Sequence, residues 1–266
     1  MIFSPRIQKG GIDPASPVAV FDSGAGGIGV LREVKKALPA ERFFYFGDTA
    51  NAPYGEKSDA EILRLTSFHA ARLLLSSKAL VIACNTATAL AVSSLRERYP
   101  DRVIVGMEPA LLPALAVAPR PRVLVLATPA TLGSAKFRRL LEKANAQATV
   151  LPVAAAELVP LVESGLADAP KTDETLQKLL APYLSPRPDA VVLGCTHFPF
   201  AARAILRVVG DDVPLFDGAA GTARQLARAL GEKGLLSPSG ERGGVFLSSS
   251  DARALPLYKR LLLYGK

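Results

Sequence analysis

Residues 79–86, Ala79-Leu80-Val81-Ile82-Ala83-Cys84-Asn85-Thr86, form an apolar run of strand type that stops at a cysteine followed by two small polar residues. Residues 190–197, Ala190-Val191-Val192-Leu193-Gly194-Cys195-Thr196-His197, repeat the design. Runs this short and this apolar read as strands of a parallel sheet, buried on both faces. Cys84 and Cys195 are the only cysteines in the chain. Each stands where such a strand ends, and open α/β sheets bind ligands beyond the carboxyl ends of their strands. The expectation is a fold that holds two sulfurs on opposite sides of one small substrate.

Working outward, residues 17–21 read as a strand, 22–29 as a glycine loop, 29–38 as a helix and 42–46 as a second strand. A loop over 50–57 leads to Ser58, which suits a helix N-cap with Glu61 three residues on. An amphipathic helix over 59–76 follows. After Cys84 come a helix over 86–98 and a strand over 103–106, completing a β-α-β-α-β-α-β series. Prolines 109, 113, 119 and 121 mark a boundary. A second series opens with a strand at 122–127 and runs through a strand near 148–153, a helical stretch 155–165, a helix 171–184, the second cysteine strand, a helix 199–208 and a strand near 213–216. A helix to Gly231, a polar glycine-rich segment, a short strand at 245–248 and a terminal helix complete the chain. The cysteines are 111 residues apart, about one small domain. The fold class read from this pattern is α/β, with two similar domains. Each is a mostly parallel sheet flanked by helices, and their strand ends face a shared cleft.

The net charge is +8 over 266 residues. Arg and Lys are scattered in singles and pairs, which fits a solvated surface and a small anionic substrate better than a nucleic-acid partner. No run reaches the eighteen or so apolar residues of a membrane span, and residues 1–16 lack the apolar core of a secretory signal and read as a disordered extension. Two cysteines in a chain this long fit a reducing compartment, the cytoplasm, rather than a disulfide scaffold.

Gly24-x-Gly26-x-x-Gly29 follows a strand and opens a helix, with Asp48 at the end of the next strand. That spacing fits a dinucleotide fingerprint, so a nicotinamide-dependent dehydrogenase stays open beside other anions at a helix N-terminus. Cys84, Cys195 and His197 match no zinc spacing. His69 lies mid-helix and reads as structural. A Cys195–His197 pair is conceivable, although two residues apart on a turn they need not face each other. Two thiols on two mirrored domains suit inversion at a carbon acid: a base takes the proton from one face and an acid returns one to the other. Thiol pKa is about 8.5 unperturbed, so neighbours must help. Asp22 and His197 are the side chains able to accept and return that proton.

These residues resemble the cofactor-independent aspartate/glutamate racemase superfamily, and within it the glutamate racemases. The motifs that carry the resemblance are Asp22-Ser23-Gly24-x-Gly26-Gly27, Asp48-Thr49 with Pro53-Tyr54-Gly55-x-Lys57-Ser58, Cys84-Asn85-Thr86-Ala87-Thr88 and Gly194-Cys195-Thr196-His197-x-Pro199. The resemblance spans nearly all of residues 17–231 and decides the glycine loop against a dinucleotide. It implies interconversion of L- and D-glutamate without metal or pyridoxal phosphate, for bacterial peptidoglycan, with aspartate as the alternative substrate. Cys84 would deprotonate D-glutamate and Cys195 L-glutamate, assisted by Asp22 on one side and by His197 and Glu163 on the other. Ser23, Asn85, Thr86 and Thr196 would hold the α-carboxylate and amine; Pro53, Tyr54, Gly55 and Thr131 would hold the side-chain carboxylate. It also implies a first domain of 17–106 plus 214–266, a second of 107–213, a pseudo-two-fold relation between them and a homodimer. One departure is Val153-Ala154-Ala155-Ala156-Glu157, where the family usually carries Cys-Pro.

Overall fold

The structure, a computed structural model, describes residues 12–239 and 243–263. Its first series is β1 (Val18–Asp22), α1 (Ile28–Ala37), β2 (Phe43–Gly47), α2 (Asp59–Leu74), β3 (Ala79–Ile82), α3 (Asn85–Arg98) and β4 (Val103–Gly106). A short α4 (Leu111–Ala114) crosses to β5 (Arg122–Ala127), α5 (Pro129–Gly133), α6 (Ala135–Asn145), β6 (Thr149–Ala154), α7 (Leu158–Glu163), α8 (Pro170–Leu180), β7 (Ala190–Leu193), α9 (Ala202–Val209) and β8 (Leu215–Asp217). The chain ends with α10 (Ala219–Glu232), β9 (Val245–Ser249) and α11 (Leu255–Leu263). No helix among the described residues is long and apolar enough to cross a membrane.

Two sheets form, ordered β4-β3-β1-β2-β9 and β6-β5-β7-β8, and every pairing is parallel. Taken from the other edge, the second sheet runs fourth, third, first, second in its own series, which is the order of the first. Sequence similarity between the halves therefore becomes a shared topology. In each half the order reverses beside the first strand, and the third strand ends in cysteine. The two switch points, where α/β sheets open a crevice, are thus β1/β3 and β5/β7. Strands β1, β3 and β7 are buried throughout, as strands covered by helices on both faces must be.

Three expectations are corrected. Strand β8 pairs with β7, so the second sheet extends past the expected boundary at 213 to Asp217. Helix α10 then packs on α1 and β4 of the first half. The supposed disordered extension divides as well: residues 1–11 lie outside the described residues, whereas Asp13–Ser16 are a tied turn. Ser16 N–H donates to Asp13 O at 3.0 Å and Lys78 Nζ donates to Pro14 O at 2.6 Å. Finally, residues 155–165 and 199–208 hold shorter helices than expected: α7 is Leu158–Glu163, and a separate helical turn, Phe198–Ala201, precedes α9.

Local signals behave as their chemistry dictates. Ser58 Oγ accepts from Glu61 N–H at 3.3 Å and caps α2. Thr128 and Ser134 cap α5 and α6 in the same manner, satisfying amides that a helix start leaves unpaired.

Candidate active site

The carboxyl end of β1 delivers Asp22 and Ser23, the end of β3 delivers Cys84, Asn85 and Thr86, and the end of β7 delivers Cys195, Thr196 and His197. All eight are buried, Cys84 to 6% exposure and Cys195 to 8%. On the first side, Ser23 Oγ lies 3.5 Å from Cys84 Sγ. Asp22 Oδ2 accepts from Gly24 N–H at 3.1 Å, and Oδ1 accepts from Thr196 Oγ1 at 3.3 Å. On the second, Cys195 Sγ lies 3.7 Å from His197 Nδ1, and His197 Nε2 lies 2.7 Å from Glu163 Oε1 at the end of α7. Glu163 Oε1 also accepts from Ala25 N–H at 2.9 Å. Cysteine and histidine two residues apart do face each other, because the chain turns tightly after β7, with Phe198 N–H bonded to Cys195 O at 3.2 Å. Each half thus presents a thiol with an ionisable neighbour; Thr196 of the second half holds Asp22, and Ala25 of the first half holds Glu163, the partner of His197.

Burial sets the charges. It pushes the Cys84 thiol up to about 12, and the negative charge of Asp22 adds to the push. Burial also raises the Asp22 carboxyl above its usual range, against the opposing pull of His197. Glu163 goes the other way: burial would raise it, but the His197 hydrogen bond and charge outweigh that and hold it below its ordinary value. Burial likewise disfavours the His197 imidazolium, yet Cys195 and Glu163 on its two nitrogens overcome this and raise its pKa well above the ordinary 6.5.

A pH dependence follows. His197 has its pKa raised on folding, so its contribution to stability is complete below the unfolded value of about 6.5 and is lost as pH rises through the folded value. Glu163 has its pKa depressed, so its share is present above about 4.3 and lost as pH falls through the depressed value. His197→Asn is expected to cost roughly 2 kcal/mol near pH 6, with the gap to wild type closing as pH rises; urea melts at several pH values measure it. With only two histidines in the chain, proton NMR assigns the His197 midpoint by the signal this variant lacks.

The glycine loop is explained by packing. A Cβ on Gly26 would stand 2.7 Å from His197 Nδ1 and 2.8 Å from its backbone nitrogen, and one on Gly27 would stand 2.6 Å from Asp22 Cβ. A Cβ on Gly24 would collide with Glu163 Oε1. The glycines let β1's loop approach the second domain. Its amides are committed inside the protein, Gly24 and Ala25 to the two carboxylates and Ile28 and Gly29 to the carbonyls of Ala25 and Gly26. Asp48, the ribose-binding acid of a dinucleotide reading, is buried. It accepts from Tyr54 OH at 2.7 Å and Asn51 Nδ2 at 2.9 Å and lies 3.1 Å from His69 Nε2. Gly26→Ala is expected to destabilise the fold by about 1–3 kcal/mol through overpacking and to cut activity at least tenfold, because backbone stands in the way. Urea denaturation and turnover of the same preparation test both.

Asp48 pins the loop that carries Pro53, Tyr54 and Gly55. A Cβ on Gly55 would stand 2.7 Å from Thr128 Cβ, so this loop of the first half abuts the second. Thr86 Oγ1 lies 2.9 Å from Thr128 Oγ1 and 3.2 Å from Thr131 Oγ1. The resemblance gave Thr86 to the α-carboxylate and amine and Thr131 to the side-chain carboxylate; in the structure the two hydroxyls stand in hydrogen-bond contact. Thr128 was not among the expected site residues, and the available signal was its place after β5, matching Asp22 and Ser23 after β1. Asn85 carries a buried amide, neither atom of which has a hydrogen-bond partner, an exception among buried polar groups. His69 stacks on Phe21 and lies tilted against Phe46, with ring centroids 5.6 and 4.9 Å away. Among the described residues no three His, Cys, Asp or Glu side chains stand close enough to share a metal ion.

Comparisons with known proteins cover most of the chain. A glutamate racemase of Ectopseudomonas mendocina is 45% identical over 250 residues, covering 93% of this chain and 95% of its own. One from Clostridium acetobutylicum is 42% identical over 250 residues, covering 93% and 97%. The crystal structure of a Bacillus anthracis glutamate racemase superposes with a TM-score of 0.84 at 29% identity, covering 94% of both chains. That of the Francisella tularensis glutamate racemase in complex with D-glutamate gives 0.81 at 27% identity and the same coverage. The Asp/Glu/Hydantoin racemase model matches residues 12–226, from the turn before β1 to within α10, and with these relatives it establishes that the chain belongs to that racemase family.

Proposed function

We propose that this protein interconverts L- and D-glutamate by moving a proton on and off Cα with two thiols and no cofactor. Cys84 takes the Cα proton of D-glutamate, and Cys195 returns one to the opposite face; with L-glutamate the roles reverse. Each thiol resets by exchanging its proton with a neighbour. Asp22 serves Cys84, and His197, oriented by Glu163, serves Cys195. The observation that carries the reading is the equivalence of the two thiols: each is buried after the third strand of its series, beside a switch point, with an ionisable side chain near it. Two like groups suit a reaction whose two directions differ only in hand.

The relatives' names support glutamate as substrate. Ser23, Asn85 and Thr196 then face the α-carboxylate and amine. Thr86, Thr128 and Thr131, beside the Pro53–Gly55 loop, receive the side-chain carboxylate. The D-glutamate formed serves bacterial peptidoglycan. Both thiols must stay reduced, which fits a reducing compartment, the cytoplasm. The homodimer implied by the resemblance is read from sedimentation at micromolar concentration. The test of function uses purified protein without added cofactor in deuterated buffer, given L-glutamate and D-glutamate separately. Loss of optical activity with deuterium entering Cα of the product is expected from both hands. The same signature with aspartate alone changes the substrate, and silence with both amino acids defeats the reading.

A further inference from the structure

The peptide unit between Gly24 and Ala25 is held at both ends. Tyr45 OH donates to its carbonyl, Gly24 O, at 2.7 Å, and its N–H, on Ala25, donates to Glu163 Oε1 at 2.9 Å. The same carboxylate oxygen lies 2.7 Å from His197 Nε2, and His197 Nδ1 lies 3.7 Å from Cys195 Sγ. Carbonyl and N–H of one peptide point in opposite directions. The phenol therefore polarises the amide that grips Glu163, and neighbouring hydrogen bonds in a buried chain strengthen one another. Tyr45 is fully buried in β2, and its ring stands edge-on to Tyr258 with centroids 5.3 Å apart, which fixes the direction of the hydroxyl. Burial, followed by the charge of Asp22, keeps the phenol protonated and a donor far above neutral pH.

We propose that Tyr45 is a positioning residue for the Cys195 half of the site: through the Gly24–Ala25 peptide it fixes the Glu163 carboxylate, and so the His197 imidazole that exchanges a proton with Cys195. This rests on Cys195 being one of two proton-transfer thiols. Tyr45 stands a full peptide and two side chains away from the reacting sulfur, so its effect belongs to turnover and to the state of His197 rather than to substrate affinity.

The test is Tyr45→Phe in the full chain, which keeps the ring and removes only the hydroxyl. Expected are a kcat about tenfold lower, KM within about twofold of wild type, and a His197 midpoint moved down in proton NMR. Adding Tyr45→Phe to Glu163→Gln is expected to cost nothing further, since residues acting in series are not additive. An unchanged kcat, an unmoved His197 midpoint or the same tenfold loss in both backgrounds overturns the proposal. Should Tyr45→Phe fail to fold by circular dichroism, the slowly exchanging Tyr45 hydroxyl proton is read instead, in otherwise wild-type protein. Its resonance is expected to shift on Glu163→Gln, and an indifferent resonance overturns the proposal. The His197 and Tyr45 readouts need no substrate, so absent glutamate racemisation in wild type defeats the functional reading while these still judge the chain.

Discussion

Cys84→Ala and Cys195→Ala each lower racemisation of both enantiomers by about a thousandfold or more. Losing a positioned acid or base costs about 10²–10⁴, or roughly 3–5 kcal/mol of barrier. Neither direction escapes, because the thiol that is the base for one hand is the acid for the other. The variants should stay folded: each change trims one sulfur from a side chain at a strand end beside the cleft. What separates two thiols from one is the residual exchange. Cys84→Ala keeps Cys195, so L-glutamate should still trade its Cα proton for deuterium without inverting. Cys195→Ala should do the same with D-glutamate. Each variant exchanges one hand only, and not the same hand. Mass spectrometry of the recovered amino acid, with chiral separation, gives both quantities. A single variant that racemises within tenfold of wild type ends the two-thiol account, and so does a variant that exchanges both hands equally.

The parts of this site that were legible in the sequence are those written by neighbouring residues. A buried parallel strand needs an unbroken apolar run, and its end at a cleft needs small polar residues, so Cys84 and Cys195 mark themselves. Ser58 and its cap depend on residues three apart. The contacts that make the site one site are not local. Thr196 reaches Asp22 across 174 residues of chain, and Ala25 reaches Glu163 across 138. No periodicity encodes such pairs. The glycine loop illustrates the ambiguity. Glycine spacing records only that something comes close to the backbone; whether that is a pyrophosphate or the His197 segment of a second domain depends on the fold. Thr128 caps α5 through a local contact, but the same hydroxyl also meets Thr86 from the other half, a pairing that no local pattern encodes. The return of the chain was misplaced because β8 is three residues long, with none fully buried, and carries little pattern to assign it to either sheet.

Asp22→Asn tests the proton path on the Cys84 side, and here two effects oppose each other. With the thiol pushed up to about 12, the Cys84 thiolate is the minor form near neutral pH. Part of that push is the negative charge of Asp22, so removing the charge makes the thiolate easier to form. The amide, however, cannot take the proton that the thiol must give up. If Asp22 acted only through its field, Asp22→Asn would speed racemisation. As the proton's destination, its loss slows racemisation about a hundredfold, within the usual range for a general base, while Cys84 becomes more reactive. The expected result is therefore a pair of rates moving apart. Turnover falls, and alkylation of Cys84 by iodoacetamide, mapped by peptide mass spectrometry, rises. The substitution also has a structural cost. Asp22 accepts from Gly24 N–H on one oxygen and from Thr196 Oγ1 on the other, and asparagine offers only one acceptor, so one buried donor loses its partner at about 1–3 kcal/mol. A urea melt measures that cost and keeps it apart from the kinetic loss. Turnover within threefold of wild type removes Asp22 from the proton path, and slower alkylation with slower turnover assigns it instead to holding the Cys84 loop in shape.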